Sequence, residues 1–331
     1  MDHLEKRIAL GNLPTPIQKM NNISRFLEGP DIYIKRDDLT GVAFSGNKVR
    51  KLEFCGAFAL EKGYDVLISC GGIQSNHARA TAAAASKLGL GCHLVLGGKK
   101  PVDTEGNLFL DQILGASITF ADGYGLNEME DLMEEIAEDY RTKDFKPYII
   151  PLGASDARGS LGYIKASMEM KEQFDNQGFE PDHIICPTGS GGTLSGLLAG
   201  KDLCGISSRI TGFSVAFDSM SVKSKVMSVL EEIKGSYFPE LNIEEININV
   251  NDSYIGEGYT KTTMEQLKMI KEVASREALL FDPTYTGKAF YGVTEEIRNG
   301  KYRKGEKILF IHTGGVFGLF PYKERFREDI F

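Results

Sequence analysis

The chain has 331 residues, 42% hydrophobic and 25% charged, enough to bury one large or two modest domains. A formal net charge of −8 speaks against nucleic acid or an anionic membrane as a partner. No apolar run reaches membrane-spanning length, and the charged opening Met1–Arg7 lacks the apolar stretch of a signal peptide, so a cytoplasmic protein is expected.

Residues 1–30 carry Leu13-Pro14-Thr15-Pro16, an extended or turning segment. Asp31–Lys35 reads as a short strand. Ser45-Gly46-Asn47 is turn chemistry, followed by a helix that Gly63 ends. A regular alternation follows. Val66–Cys70 is a strand, His77–Leu88 an alanine-rich helix stopped by Gly89, and Cys92–Leu96 a strand. Gly106–Leu114 is a helix, Ser117–Phe120 a strand, Asn127–Tyr140 an acidic amphipathic helix and Tyr148–Ile150 a strand. The loop Pro151–Gly159 is a candidate crossing between domains. Beyond it come a helix near Ser160–Phe174, a strand at His183–Cys186, a helix at Leu194–Lys201 and a strand at Ile210–Val215. A helix over Met220–Ile233, a strand over Ile243–Val250, helices over Thr263–Ala274 and Gly287–Arg298, and a strand over Lys307–His312 complete the pattern. Repeated strand–helix units argue for parallel sheets flanked by helices, in two α/β lobes with a cleft between them.

The basic cluster Lys301–Lys304 with Lys307 reads as a solvated loop. Cys55, Cys70, Cys92, Cys186 and Cys204 form no Cys-x-x-Cys pair and read as buried reduced thiols. The five histidines share no ligand spacing with them, so no metal site is expected.

Five stretches can carry chemistry. Lys48 falls at the first turn of a helix, where the dipole disfavours extra positive charge and favours the neutral amine of a nucleophilic lysine. Lys48, Arg50 and Lys51 as solvated charges is the plain alternative. Thr188-Gly189-Ser190-Gly191-Gly192-Thr193 joins an apolar strand to a helix. Small residues there let backbone amides converge on an anion, which suggests a phosphate cradle. It is neither a dinucleotide fingerprint, since Leu194 takes the third glycine position, nor a Walker loop. Gly71–His77 is a second such loop. Ser75 and Asn76 serve there as plain helix caps, or together with His77 hold a substrate carboxylate. Tyr285, in the polar break Phe281–Lys288, is a proton donor or acceptor, or a packing residue. Ile311–Gly315 ends a strand with a hydroxyl and two glycines, a place for a ligand.

Together, Ser45-Gly46-Asn47-Lys48-x-Arg50-Lys51-Leu52-Glu53, Gly71–His77, Thr188–Thr193, Asp282–Lys288 and His312–Gly315 resemble the pyridoxal-phosphate enzymes grouped as 1-aminocyclopropane-1-carboxylate deaminase and D-cysteine desulfhydrase. The similarity spans about Leu13 to Phe320. It implies the tryptophan-synthase-β-like fold (fold type II): α/β, two open twisted, mostly parallel sheets flanked by helices. It also implies a large domain of residues 1–47 and 158–331, a small domain of residues 48–157, an active site between them, and a homodimer acting on a small amino acid. Lys48 would be the Schiff-base lysine. Asn76 would bond the cofactor's ring hydroxyl, and Lys51 with the Gly189–Thr193 loop, preceded by Thr188, would hold its phosphate. Ser75 and His77 would lie beside the substrate carboxylate. Tyr285, with Tyr259 as a second candidate, would face the substrate, and Thr313 would face the pyridine nitrogen.

In the deaminases a glutamate follows the active-site tyrosine and keeps that nitrogen protonated. Here the residue is Thr286, as in the desulfhydrases; the resemblance still implies that it stands among the cofactor-binding residues, and the exchange implies a weaker electron sink and favours β-elimination. An L-cysteate sulfo-lyase, a cyclopropane deaminase and a non-catalytic pyridoxal-phosphate carrier are the alternatives.

Overall fold

A computed structural model describes residues 2–330. Its ten strands are β1 (Ile17–Lys19), β2 (Asp31–Lys35), β3 (Val66–Gly72), β4 (Gly91–Gly97), β5 (Ser117–Ala121), β6 (Pro147–Ile150), β7 (His183–Thr188), β8 (Arg209–Ser214), β9 (Asn249–Asn251) and β10 (Lys307–Ile311). Its eleven α-helices are α1 (Asn21–Leu27), α2 (Lys48–Lys62), α3 (Asn76–Leu88), α4 (Gly106–Ile113), α5 (Leu126–Thr142), α6 (Ala157–Gln177), α7 (Gly192–Cys204), α8 (Ser219–Ser236), α9 (Met264–Glu277), α10 (Thr286–Arg298) and α11 (Lys323–Asp329).

The strands form two sheets. The larger runs β1-β2-β10-β7-β8-β9 and the smaller β5-β4-β3-β6. All pairings are parallel except β1 with β2, where Gln18 opposes Ile34. The smaller sheet comes wholly from residues 66–150, the larger from residues on both sides of that stretch. Parallel strands linked through helices are covered on both faces, which is why their sequences read as near-continuous apolar runs. On the larger sheet, one core gathers Leu161, Ile164, Leu197, Val229 and Leu309, and the other Ile32, Ile185, Ile270, Phe290 and Phe310. In the smaller lobe, Ala78, Ala80, Ala82, Ala84 and Ala85 let α3 lie close against Leu67, Leu94 and Leu52.

Two differences from the sequence expectation have simple causes. Residues 1–30 hold β1 and α1, not only an extended segment. Each is short, and α1 buries only Ile23, so neither leaves a periodic signature. The strand expected over Ile243–Val250 is instead a 3-10 turn at Ile243–Glu245 followed by the three-residue β9. Its isoleucines pack against the α7–α8 core, but ladder pairing with β8 starts only at Asn249.

A buried ionic cluster ties α2 to the larger lobe. Arg50 lies 2.8 Å from Asp37 and 2.9 Å from Glu169, and Tyr163 donates to Asp37 at 2.5 Å. Burial alone would raise the Asp37 pKa, but the Arg50 guanidinium overcomes it and holds the carboxyl below its usual range. Lys48 stands two residues before Arg50, so the same cluster fixes where its stem begins.

Candidate active site

The C-terminal ends of strands from both sheets meet around one cavity of about 360 Å3. Lys48, Ser75, Asn76, His77, Thr188, Gly189, Ser190, Gly191, Thr193, Tyr259, Tyr285 and Thr313, all expected at the site, line it. Lys51, Gly192 and Thr286 do not.

Lys48 is the first residue of α2. Burial pushes its amine down to about 8, so desolvation, rather than the helix dipole, accounts for its readiness to lose a proton. Lys51, one turn on, is sealed off. Its Nζ donates to the carbonyls of Gly153 at 3.0 Å and Ala154 at 3.4 Å, and burial, then Lys48, hold its pKa far below normal. It sits directly behind the glycine loop: a Cβ on Gly192 would lie 2.7 Å from Lys51 Nζ.

Helix α7 starts at Gly192 with Gly191 as its N-cap, which has no side chain of its own to close that end; Gly192 N donates instead to Ser155 Oγ at 3.3 Å. Around it stand the Ser155 and Ser190 hydroxyls, 2.7 Å apart, and Asn47, whose Nδ2 donates to Thr193 Oγ1 at 3.0 Å. Gly153 is left-handed at φ +68°. A Cβ there would come within 2.4 Å of Ser190 Oγ and 3.2 Å of Lys48 Nζ. An open helix N-terminus, converging hydroxyls, a buried amine behind them and a reactive lysine beside them fit a phosphate-bearing aldehyde.

Across the cavity, Ser75 caps α3 by accepting from Ala78 N at 3.1 Å, which leaves its own O–H free to donate. Asn76 Oδ1 accepts from Asn107 Nδ2 at 3.0 Å, so its amide N–H2 is turned toward other partners. Asn107 in turn accepts from Arg79 Nε at 3.2 Å, and Arg79 grips the carbonyls of Ala43 and Ser45 just upstream of Lys48. The His77 imidazole bonds Ser69 Oγ through Nε2 at 2.9 Å. Burial first, and then the nearby lysine amines, keep it neutral. It offers a hydrogen bond there, not a charge.

Tyr285 and Tyr259 bring their hydroxyls within 2.7 Å of each other. Burial, then Tyr259, push Tyr285 well above its usual pKa, so it stays protonated. Asp282 holds the turn beneath, accepting from Tyr285 N and Thr286 N at 2.8 Å. Thr286 corrects the expectation: it opens α10 with its hydroxyl donating to Asp282 Oδ1 at 2.7 Å, committed to the cap instead of facing the cavity.

Sequence reasoning assigned no role to Asn47, Gly153, Ser155 or Asn107. Asn47 stood inside the lysine motif and Gly153 and Ser155 inside the expected crossing, but only their distant partners reveal their use.

Two sheets opening one lysine-bearing, phosphate-shaped cleft at their strand ends define an enzyme that holds an aldehyde cofactor on fold type II. The profile described as pyridoxal-phosphate dependent enzyme matches residues 8–314, and the chain belongs to that family, whose members bind pyridoxal phosphate. It is 40% identical over 326 residues to a Pyrococcus abyssi (strain GE5 / Orsay) protein provisionally named 1-aminocyclopropane-1-carboxylate deaminase, covering 97% of this chain and 95% of that one. It is 38% identical over 322 residues to the mitochondrial bifunctional D-cysteine desulfhydrase/1-aminocyclopropane-1-carboxylate deaminase of Arabidopsis thaliana, covering 94% of this chain and 79% of that one. A crystal structure titled as an ACC deaminase homologue superposes with a TM-score of 0.91 at 40% identity, covering 99% and 98%. The chain is thus a pyridoxal-phosphate enzyme of the deaminase and desulfhydrase group. Among the described residues no helix is long and apolar enough to cross a membrane.

Proposed function

We propose that the chain catalyses β-elimination from a D-cysteine-type amino acid, consuming water and giving pyruvate, ammonia and hydrogen sulfide. The observation that carries this reading is the cavity wall: among the described residues it holds hydroxyls, amides, an imidazole and an amine, but no carboxylate. When bound, pyridoxal phosphate supplies an electron sink for charge developing at Cα, and the sink is strongest when its ring nitrogen keeps a proton. Neutral groups such as the Thr313 hydroxyl cannot hold that proton. The chemistry is then limited to substrates with a good leaving group on Cβ.

Lys48 would hold the cofactor covalently until the substrate's own amine takes its place. The amine so freed, lowered to about 8 by burial, is then the group suited to take the Cα proton near neutral pH. Tyr285, kept protonated, donates toward the leaving sulfur instead of acting as the base. Ser75 and Asn76, at the positive end of α3, orient the substrate carboxylate. The α7 N-terminus with Ser190 and Thr193 would hold the phosphate, with Lys51 supporting that loop from behind. The small domain (48–157) would close over the large one (1–47 and 158–331) around this cleft. Residues Met1 and Phe331 of that division lie outside the described residues.

A second reading, cyclopropane ring opening, is favoured by the name of the Pyrococcus abyssi relative. A panel of D- and L-cysteine, L-cysteate, β-chloro-D-alanine and 1-aminocyclopropane-1-carboxylate separates the two. Sulfide with pyruvate from D-cysteine supports elimination. Keto acid from the cyclopropane alone favours ring opening, and no keto acid from any of them leaves a cofactor carrier.

A further inference from the structure

The cavity has a polar floor and an apolar rim. Ser75, Asn76, His77, Thr188, Thr193 and Thr313 on the floor are each 8% exposed or less. The rim is Tyr124 at 51%, Leu126 at 44% and Phe217 at 38%, with Met129 buried beneath them. Both lobes contribute. Tyr124 and Leu126 stand where β5 leads into α5, and Phe217 where β8 leads into α8. Both turns are braced: Gly125 N donates to Glu128 at 2.6 Å, and Ser214 Oγ accepts from Phe217 N at 3.2 Å while donating to Phe217 O at 2.5 Å.

We propose that this rim is a subsite for an apolar group on the substrate's sulfur, and that the chain cleaves cysteine thioethers as well as free cysteine. The inference rests on the elimination reading above. On that reading the floor takes the ammonium and carboxylate of the amino acid, so its side chain points to the rim. The side chain of free cysteine ends one atom beyond Cβ and leaves the exposed aromatic and aliphatic surface facing water. An exposed apolar surface continuous with a binding cavity marks the place of an apolar ligand group. Tyr124 and Phe217, one from each lobe on the same cavity, suit an aryl or benzyl substituent.

The chemistry is the same elimination with a different leaving group. The Cα proton passes to Lys48. The Cβ–S bond breaks with its electron pair on sulfur, which takes a proton from the Tyr285–Tyr259 pair and departs as a thiol. One water then converts the remaining three-carbon enamine to pyruvate and ammonium. No oxidant or reductant is consumed.

The test assays the holoenzyme with cysteine and S-benzyl-cysteine of both hands, reading pyruvate and released thiol. For the preferred hand, kcat/KM for the thioether should exceed that for cysteine by about tenfold or more, and Phe217→Ala and Leu126→Ala should each cut that ratio at least about threefold. Cysteine cleaved without the thioether, or a ratio that both variants leave unmoved, overturns the rim assignment alone. Neither cleaved while the cyclopropane is opened overturns the elimination reading, and the rim assignment with it.

Discussion

Helices α3 and α7 both begin at the end of a central strand and both open on the same cavity, yet they begin differently. α3 is closed by the Ser75 side chain, and its contribution to a ligand is the remaining Ser75 O–H and the Asn76 amide. α7 begins at Gly191-Gly192, whose N-cap has no side chain; Gly192 N donates to Ser155 Oγ at 3.3 Å, and the backbone amides that follow are left for a ligand. A self-capped terminus recognises through side chains, which suits an exchangeable substrate. An open terminus recognises through backbone, which suits a resident phosphate. Lys48 lies between the two.

The largest effect should come from removing what both termini serve. Lys48→Ala is expected to lower keto-acid formation by about a thousandfold and to remove covalent capture of the cofactor, read by absorbance after gel filtration. Next, Gly153→Ala intrudes on the α7 side by placing a methyl against Ser190 at a left-handed position. Cofactor affinity, measured by fluorescence titration, should weaken about thirtyfold, roughly 2 kcal/mol, without a matching rise in KM for the amino acid. Covalent capture also depends on pH. The reactive form is the neutral amine, and the Lys48 pKa is lowered to about 8. The capture rate should therefore rise about tenfold per pH unit below that value and level off above it. A stopped-flow profile with its midpoint near the ordinary lysine value would contradict this.

A smaller effect separates the two helix starts. Ser75→Ala should raise KM for the amino acid about fivefold and cost about 1 kcal/mol of stability through the lost cap, with little change in cofactor affinity. Ser190→Ala should do the reverse, and equal effects of the two variants on cofactor affinity would erase the distinction. The smallest is Asn107→Leu, which frees the Asn76 amide. About a threefold rise in KM for the amino acid is expected, with cofactor affinity little changed.

Much of this was readable in the chain. Apolar runs separated by glycine stops placed the β3–α3 and β7–α7 units, because a buried parallel strand and a glycine at a helix end both leave local marks. Gly63 and Gly89 do sit left-handed at the ends of α2 and α3. Lys48 at a helix start and the glycine loop were legible for the same reason. The partnerships were not. Asn47 with Thr193, Ser155 with Ser190 and Asn76 with Asn107 join positions far apart in sequence, and no periodicity encodes them. Thr286 misled because motif position gave it a ligand, whereas the local turn gave it Asp282.

The account stands on one amine. Borohydride reduction of the pyridoxal-phosphate-loaded chain, followed by peptide mapping, should leave the pyridoxyl group on Lys48 alone. A label on Lys51 or any other lysine, or no label at all, would contradict it.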